Sequence, residues 1–208
     1  MKNEQEQVKE FIEIESKEIQ SFTEKINHET LVKARDLILE AEKNKNRVHV
    51  TGIGKPGHVA GYIASLLSST GTSTYELHGT EAVHGSSGQV QPGDVVIAIS
   101  NSGETNELKA TVNTLKTNGA KIISVCGNLE SWLAINADVA LFAGVRQEGD
   151  SLNKPPRASI LAEIIVLQCL SILLQNAKEL NPTQYVKWHP GGSLGKSITE
   201  TLNKGENI

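Results

Sequence analysis

The sequence predicts an α/β three-layer sandwich: a five-stranded parallel sheet between helical layers, with two further helices ahead of it. Three observations carry this. From Val48 onward, short apolar runs alternate with longer stretches of helical character. The short runs, Val95-Val96-Ile97-Ala98-Ile99 the clearest, do not alternate with polar residues, as strands buried on both faces require. Most of them break at glycines or small polar residues before a helical stretch begins, the signature of strand–helix crossovers.

The elements follow in order. The first 45 residues are rich in Glu, Lys and Gln, with Val8, Phe11, Ile12 and Ile19, then Leu31, Ala34, Leu37, Ile38 and Ala41, at helical spacing. Two amphipathic helices are expected there, with their charges on a solvated face. Val48, Val50 and Ile53 make a first strand, and a small-residue helix runs on to about Ser69. "TSTYELHG" reads as the second strand and "DVVIAIS" as the third, followed by a helix from about Glu104 to Lys116. "KIISVCG" and "ADVALFAG" are the fourth and fifth strands, and "ASILAEIIVLQCLSILLQ" a long apolar helix packed on the sheet. Residues 1–45 are read as a helical segment and 46–208 as one globular unit.

Composition narrows the function. The chain has 208 residues, enough for one core, and a formal charge of −4 from 20 basic and 24 acidic residues. No basic tract points to nucleic acid, and no membrane partner is expected, since no apolar run is read as a span and the N-terminus lacks a secretion signal. Cys126 and Cys169 lie in apolar runs and read as buried free thiols of a cytoplasmic protein.

Two loops carry the chemistry. In folds of this kind, ligands bind at the carboxyl ends of the strands. At the end of the third strand stands "SNSGET", Ser100 to Thr105. The first N–H groups of the following helix have no intrahelical partner, and an anion can take them, aided by the helix dipole. Gly103 lets backbone approach, Ser100, Ser102 and Thr105 add hydroxyls, and Asn101 an amide. Such neutral donors suit a phosphate monoester; the plainer reading is an ordinary helix cap. The second loop, "TGIGKPGH", places Gly52, Gly54 and Gly57 in the G-x-G-x-x-G spacing of dinucleotide folds, with Glu76 where a ribose would be held. Lys55 and His58 inside the turn point instead to a compact charged substrate or to acid–base work.

With both loops in view, the sequence resembles the sugar-isomerase (SIS) domain family, and within it the arabinose-5-phosphate isomerases, on "GIGKPGH", "SSTGTSTYELHGTEAVHG", "GDVVIAISNSGETNEL" and "HPGGSLGK". The resemblance implies a flavodoxin-like SIS fold and an aldose–ketose isomerisation of D-arabinose 5-phosphate and D-ribulose 5-phosphate through an enediol, with no redox cofactor. It implies catalytic roles for Lys55, Glu107, Glu148 and His189. Gly54, Gly71, Thr72, His78, His84, Ser100, Asn101, Ser102, Glu104 and Thr105 then bind substrate, and His78 is a candidate ligand for an inhibitory zinc. A homodimer or homotetramer with shared sites is implied, His189 entering a neighbour's site. A sugar-phosphate sensor without catalysis is the alternative. Where the family carries Thr and Ser before the last long helix, this sequence reads "SLNKPPRASILAE", and Ser86 replaces an acid that often follows "AHG". Longer relatives continue into a paired regulatory (CBS) module after the last motif; an isomerase domain without that pair is expected here.

Overall fold

Residues 3–192 and residue 196 are described in the structure, a computed structural model. The N-terminal helices start at strong caps. Asn3 accepts the Glu6 amide at 2.8 Å and Glu6 returns its carboxylate to the Asn3 amide at 3.0 Å, opening α1 (Glu4–Thr23). Asn27 caps α2 (His28–Lys43) through the Thr30 amide at 3.1 Å. Then come β1 (Val48–Gly52), α3 (Lys55–Ser69), β2 (Thr74–Glu76), two 3₁₀ turns (Glu81–His84 and Ser86–Gln89), β3 (Val95–Ile99), α4 (Asn106–Thr117), β4 (Lys121–Cys126), α5 (Trp132–Ile135), β5 (Val139–Phe142), α6 (Ala158–Ala177) and α7 (Pro182–Trp188).

The five strands pair in parallel in the order β2-β1-β3-β4-β5. The order reverses between β1 and β3, which makes their carboxyl ends the switch point of the sheet. β1 and β3 are buried along their whole length, as their apolar runs require. Val48, Val50, Ile97, Ile99, Ile123 and Val125 face one layer, where α1, α2, α3 and α6 pack. Val96, Ala98 and Ile122 face the other, filled by α4, α5 and the first 3₁₀ turn through Leu108, Val112, Leu133 and Ala82. Leu31, Ala34 and Ile38 of α2 and Phe22 of α1 join the first core directly.

Several expectations shift. The second strand shortens to Thr74–Glu76, because the Thr72 amide is held by the carbonyl of Leu67 at 2.9 Å, closing α3. The helix after β3 starts at Asn106, not Glu104. α5 and α7 have no counterpart in the sequence reading, although Ser131 and Asn181-Pro182 are helix-start signals. α6 spans 20 residues and by length and composition is apolar enough to cross a membrane, contrary to the sequence reading. Here half of it is buried against the sheet and the neighbouring helices, which is why it is apolar nearly all round. Both cysteines are free; Cys126 is buried and Cys169 half-buried.

Candidate active site

The β1–α3 connection explains its glycines by packing. A Cβ on Gly52 would lie 2.7 Å from the Pro56 carbonyl carbon, and one on Gly57 would lie 3.1 Å from the Gly52 carbonyl oxygen. These two positions let strand and helix backbones touch. Gly54 has φ +67° at the N-cap of α3, a conformation that side chains resist. Lys55 follows as the first helical residue, exposed at this edge. With the segment after β2, the loop encloses a cleft of about 140 Å³ that includes Gly54, His58, Glu76 and His78.

The Ser100–Thr105 loop sits across the switch point. Gly103, at φ +66°, donates its amide to the Ser100 hydroxyl at 3.2 Å, and Ser100 lies 3.3 Å from the Thr105 hydroxyl. Ser102 accepts the Glu104 amide at 3.2 Å, a bond that leaves the serine's own proton unspent. The Asn101 carbonyl accepts the Gly127 amide at 2.8 Å, tying the loop to the end of β4. Thr105 is the N-cap of α4, yet its side chain makes no capping hydrogen bond. The sequence left open whether these residues are only a cap; the side chains do not act as one.

That absence is selective. Asn3, Asn27, Ser131 and Asn181 cap α1, α2, α5 and α7 with their side chains. Among the described residues, α3 and α4, the two helices beginning at the switch point, have no side-chain cap. α6 is served by Glu148, which reaches forward nine residues to accept the Arg157 amide at 2.7 Å and also accepts the Ser159 amide at 3.1 Å. α3 and α6 pack against each other and both begin at this edge, so Lys55 and Glu148 stand at the same ends of neighbouring helices. Glu107 is exposed on the first turn of α4.

Other expected site residues fall elsewhere. Glu104 accepts the Trp132 amide at 2.7 Å and pairs with Lys109, so it fastens α5 to the loop. The lysine hydrogen bond, then the Trp132 amide, lowers the proton affinity of its carboxyl. Gly71 and Thr72 precede β2, and β2 runs parallel to β1, so both residues lie at the amino edge of the sheet. There Lys178 donates to the Gly71 carbonyl at 2.9 Å and to the Thr72 hydroxyl at 2.6 Å. A Cβ on Gly71 would lie 2.6 Å from the Trp188 ring, which brings the end of α7 to the same place. His189, stacked on Tyr185 at 4.1 Å between ring centroids, follows there. Within one chain, His189, Gly71 and Thr72 are therefore a sheet's length from Lys55, Glu107 and Glu148.

His78 bonds the Thr80 hydroxyl at 3.1 Å through Nδ1, and His84 ends the first 3₁₀ turn; both are exposed. Among the described residues, no group of three His, Cys, Asp or Glu side chains could hold a metal ion. Ser193 to Lys196 of the last motif fall outside the described residues except for Lys196.

The SIS domain family matches residues 43–173, well over half the chain. The chain belongs to the SIS domain family. Arabinose 5-phosphate isomerase KdsD of Pseudomonas aeruginosa is 39% identical over 181 residues, 85% of this chain and 55% of that protein. The Salmonella typhi protein of the same name is 35% identical over 96% of this chain and 61% of its own length. This SIS chain thus spans little more than half the length of these curated relatives. Among solved structures, E. coli CFT073 c3406 in complex with a sugar phosphate superposes with a TM-score of 0.80 at 34% identity, covering 91% of this chain and all of that one. The sugar isomerase domain of an RpiR transcription factor from Sphaerobacter thermophilus, at 18% identity and a TM-score of 0.69, shares the fold alone.

One site feature of this SIS domain escaped the sequence reading. Glu163 on α6 is fully buried, and neither carboxyl oxygen has a hydrogen-bond partner. A lone acid inside "ASILAEIIVLQ" was the available signal. Burial first, and the charge of Glu148 second, push its pKa up to about 8.

Proposed function

We propose that this domain is an aldose–ketose sugar-phosphate isomerase that interconverts D-arabinose 5-phosphate and D-ribulose 5-phosphate. The observation that carries the reading is the pair of helix starts without side-chain caps, α3 and α4, on either side of the strand-order reversal. Open N–H groups there suit a phosphate dianion, and Lys55 stands beside them at the start of α3. The named function of the KdsD relatives and the sugar-phosphate complex of the structural neighbour, its ligand read as arabinose 5-phosphate, agree on the substrate class.

The chemistry assigned to the residues is as follows. The α4 amides and the Ser100, Ser102 and Thr105 hydroxyls take the phosphate, with Asn101, Gly54, His78 and His84 around the sugar. A carboxylate, Glu107 or Glu148, removes the proton from C2 of the open aldose as the C1 carbonyl oxygen gains charge and then a proton, giving the enediol. Lys55 stabilises that developing negative charge. Loss of the O2 proton and protonation of C1 complete the ketose. His189, whose imidazole can both give and take a proton, is assigned to ring opening.

Because His189, Gly71 and Thr72 sit at the opposite edge from Lys55, the reading places them in the site of a neighbouring copy, in a cytoplasmic homodimer or homotetramer. Residues 46–208 are the sugar-phosphate unit and residues 1–45 its accompanying helices.

Incubation with D-ribulose 5-phosphate in D2O, followed by NMR, tests the function. Arabinose 5-phosphate carrying deuterium at C2 is the expected product. Binding without any exchange would leave a sensor in place of an enzyme.

A further inference from the structure

Two carboxyl groups stand at the first turns of α6 in opposite circumstances. Glu148 lies at the positive end of the helix and receives two amide hydrogens, from Arg157 at 2.7 Å and Ser159 at 3.1 Å. Glu163 is one helical turn beyond Ser159, fully buried, and receives none. The Ser159 hydroxyl beside it is also buried without a partner. An anion is favoured at the first place and strongly disfavoured at the second.

We infer that Glu163 is a positioning residue for Glu148: it keeps a proton one turn inside the helix, so that the two carboxyl groups carry a single negative charge and that charge rests on Glu148. This rests on the reading of Glu148 as a proton-transfer carboxylate. The surroundings agree. Glu148 is the charge that acts on Glu163. From α1, Glu18 is engaged with the Arg146 amide at 2.7 Å, while Glu15 feels burial first, then Glu148, with Arg157 opposing them. Arg157 itself is paired with Asp150 at 2.7 Å. α2 and α3 meet α6 with apolar residues, Ala34, Ile38, Ala60 and Ile63 among them. No cation among these is committed to Glu163.

The arrangement matters because isomerisation builds an enediolate on a substrate that already carries a phosphate. A neutral Glu163 adds no charge against it. An ionised Glu163 places a second negative charge next to Glu148 and opposes both binding and the transition state.

The test pairs two readouts. Carboxyl 13C shifts, followed by NMR from pH 4 to 10, are expected to show one glutamate titrating near 8 that disappears in E163Q. Turnover of D-ribulose 5-phosphate by the wild type falls about tenfold on the alkaline side of that midpoint, while E163Q falls less than about twofold and keeps the wild-type acid limb. The inference is overturned if no glutamate of the wild type titrates above pH 6.5, or if the alkaline limbs of wild type and E163Q coincide. If E163Q does not fold, the wild-type titration decides alone. A shared single charge in a protein that turns over no pentose phosphate would uphold the carboxyl pair and remove the isomerase reading instead.

Discussion

The carboxylate of Glu104 accepts the backbone N–H of Trp132 at 2.7 Å, joining the loop after β3 to the start of α5, 28 residues on. This bond makes α5 part of the support of the Ser100–Thr105 loop. Beside it, a Cβ on Gly103 would lie 2.1 Å from the Ser131 hydroxyl, in a residue whose φ is +66°. Gly103→Ala is therefore expected to cost about 2 kcal/mol or more in urea unfolding, from the left-handed backbone and the collision together. Ser131→Gly in the same chain should recover part of that loss.

Glu104→Gln tests the charge in the same joint. The folded carboxyl holds its proton more weakly than the unfolded one, through Lys109 first and then the Trp132 amide. Its contribution is thus present above the ordinary value of 4.5 and is lost as pH falls through the folded value. The variant should be less stable than wild type at pH 7, with the gap closing toward pH 3. An equal gap at both would show that ionisation of Glu104 does no more than its size and shape.

Ser102 has one hydroxyl proton that its bond to the Glu104 amide does not use. If that proton goes to phosphate, Ser102→Ala weakens sugar-phosphate binding by roughly 1–3 kcal/mol, about five- to 150-fold in Kd. Calorimetry with D-arabinose 5-phosphate reads this directly. An unchanged Kd would return the loop to a purely structural role.

The separation of Lys55 from His189 by the length of the sheet has a simple consequence. A Lys55→Ala chain and a His189→Ala chain, each inactive alone, should regain turnover when unfolded together and refolded as a mixture, because some sites then receive both wild-type residues. No recovery, with mixed oligomers shown to form, would mean that the two residues serve one chain's site.

Glu163 should also be visible in stability. Its pKa is raised from 4.5 to about 8, so the native state holds a proton that the unfolded chain releases. The stability tied to that proton is complete below 4.5 and is lost as pH rises through about 8. Glu163→Gln removes this dependence. Relative to wild type, its Tm should rise progressively between pH 5 and 9. A constant difference across that range would show that the buried carboxyl is ionised throughout.

Much of the molecule was legible in the sequence, for reasons that differ by element. β3 reads directly, because the apolar run Val95–Ile99 is strand length and stops at small polar residues; the structure buries all five. α1 and α2 follow from spacing, and the turn after β3 from the small polar residues gathered around Gly103. α5 was missed because four residues carry no period, and α7 because its seven residues show no apolar stripe despite the Asn181-Pro182 start.

By itself, then, the sequence determined the layers and the five strands, since burial and capping act on neighbours along the chain. Only the tertiary structure decided which loops share an edge. Parallel pairing puts every strand's carboxyl end on one side and every return on the other, so Gly71 and His189 are carried away from Lys55 although all three belong to recognisable motifs. The same step gave Glu104 the Trp132 amide as a partner, and left Glu163 buried in α6 without a hydrogen-bond donor. Charge, dielectric and distance between remote segments set those roles, and no local pattern of residues encodes them.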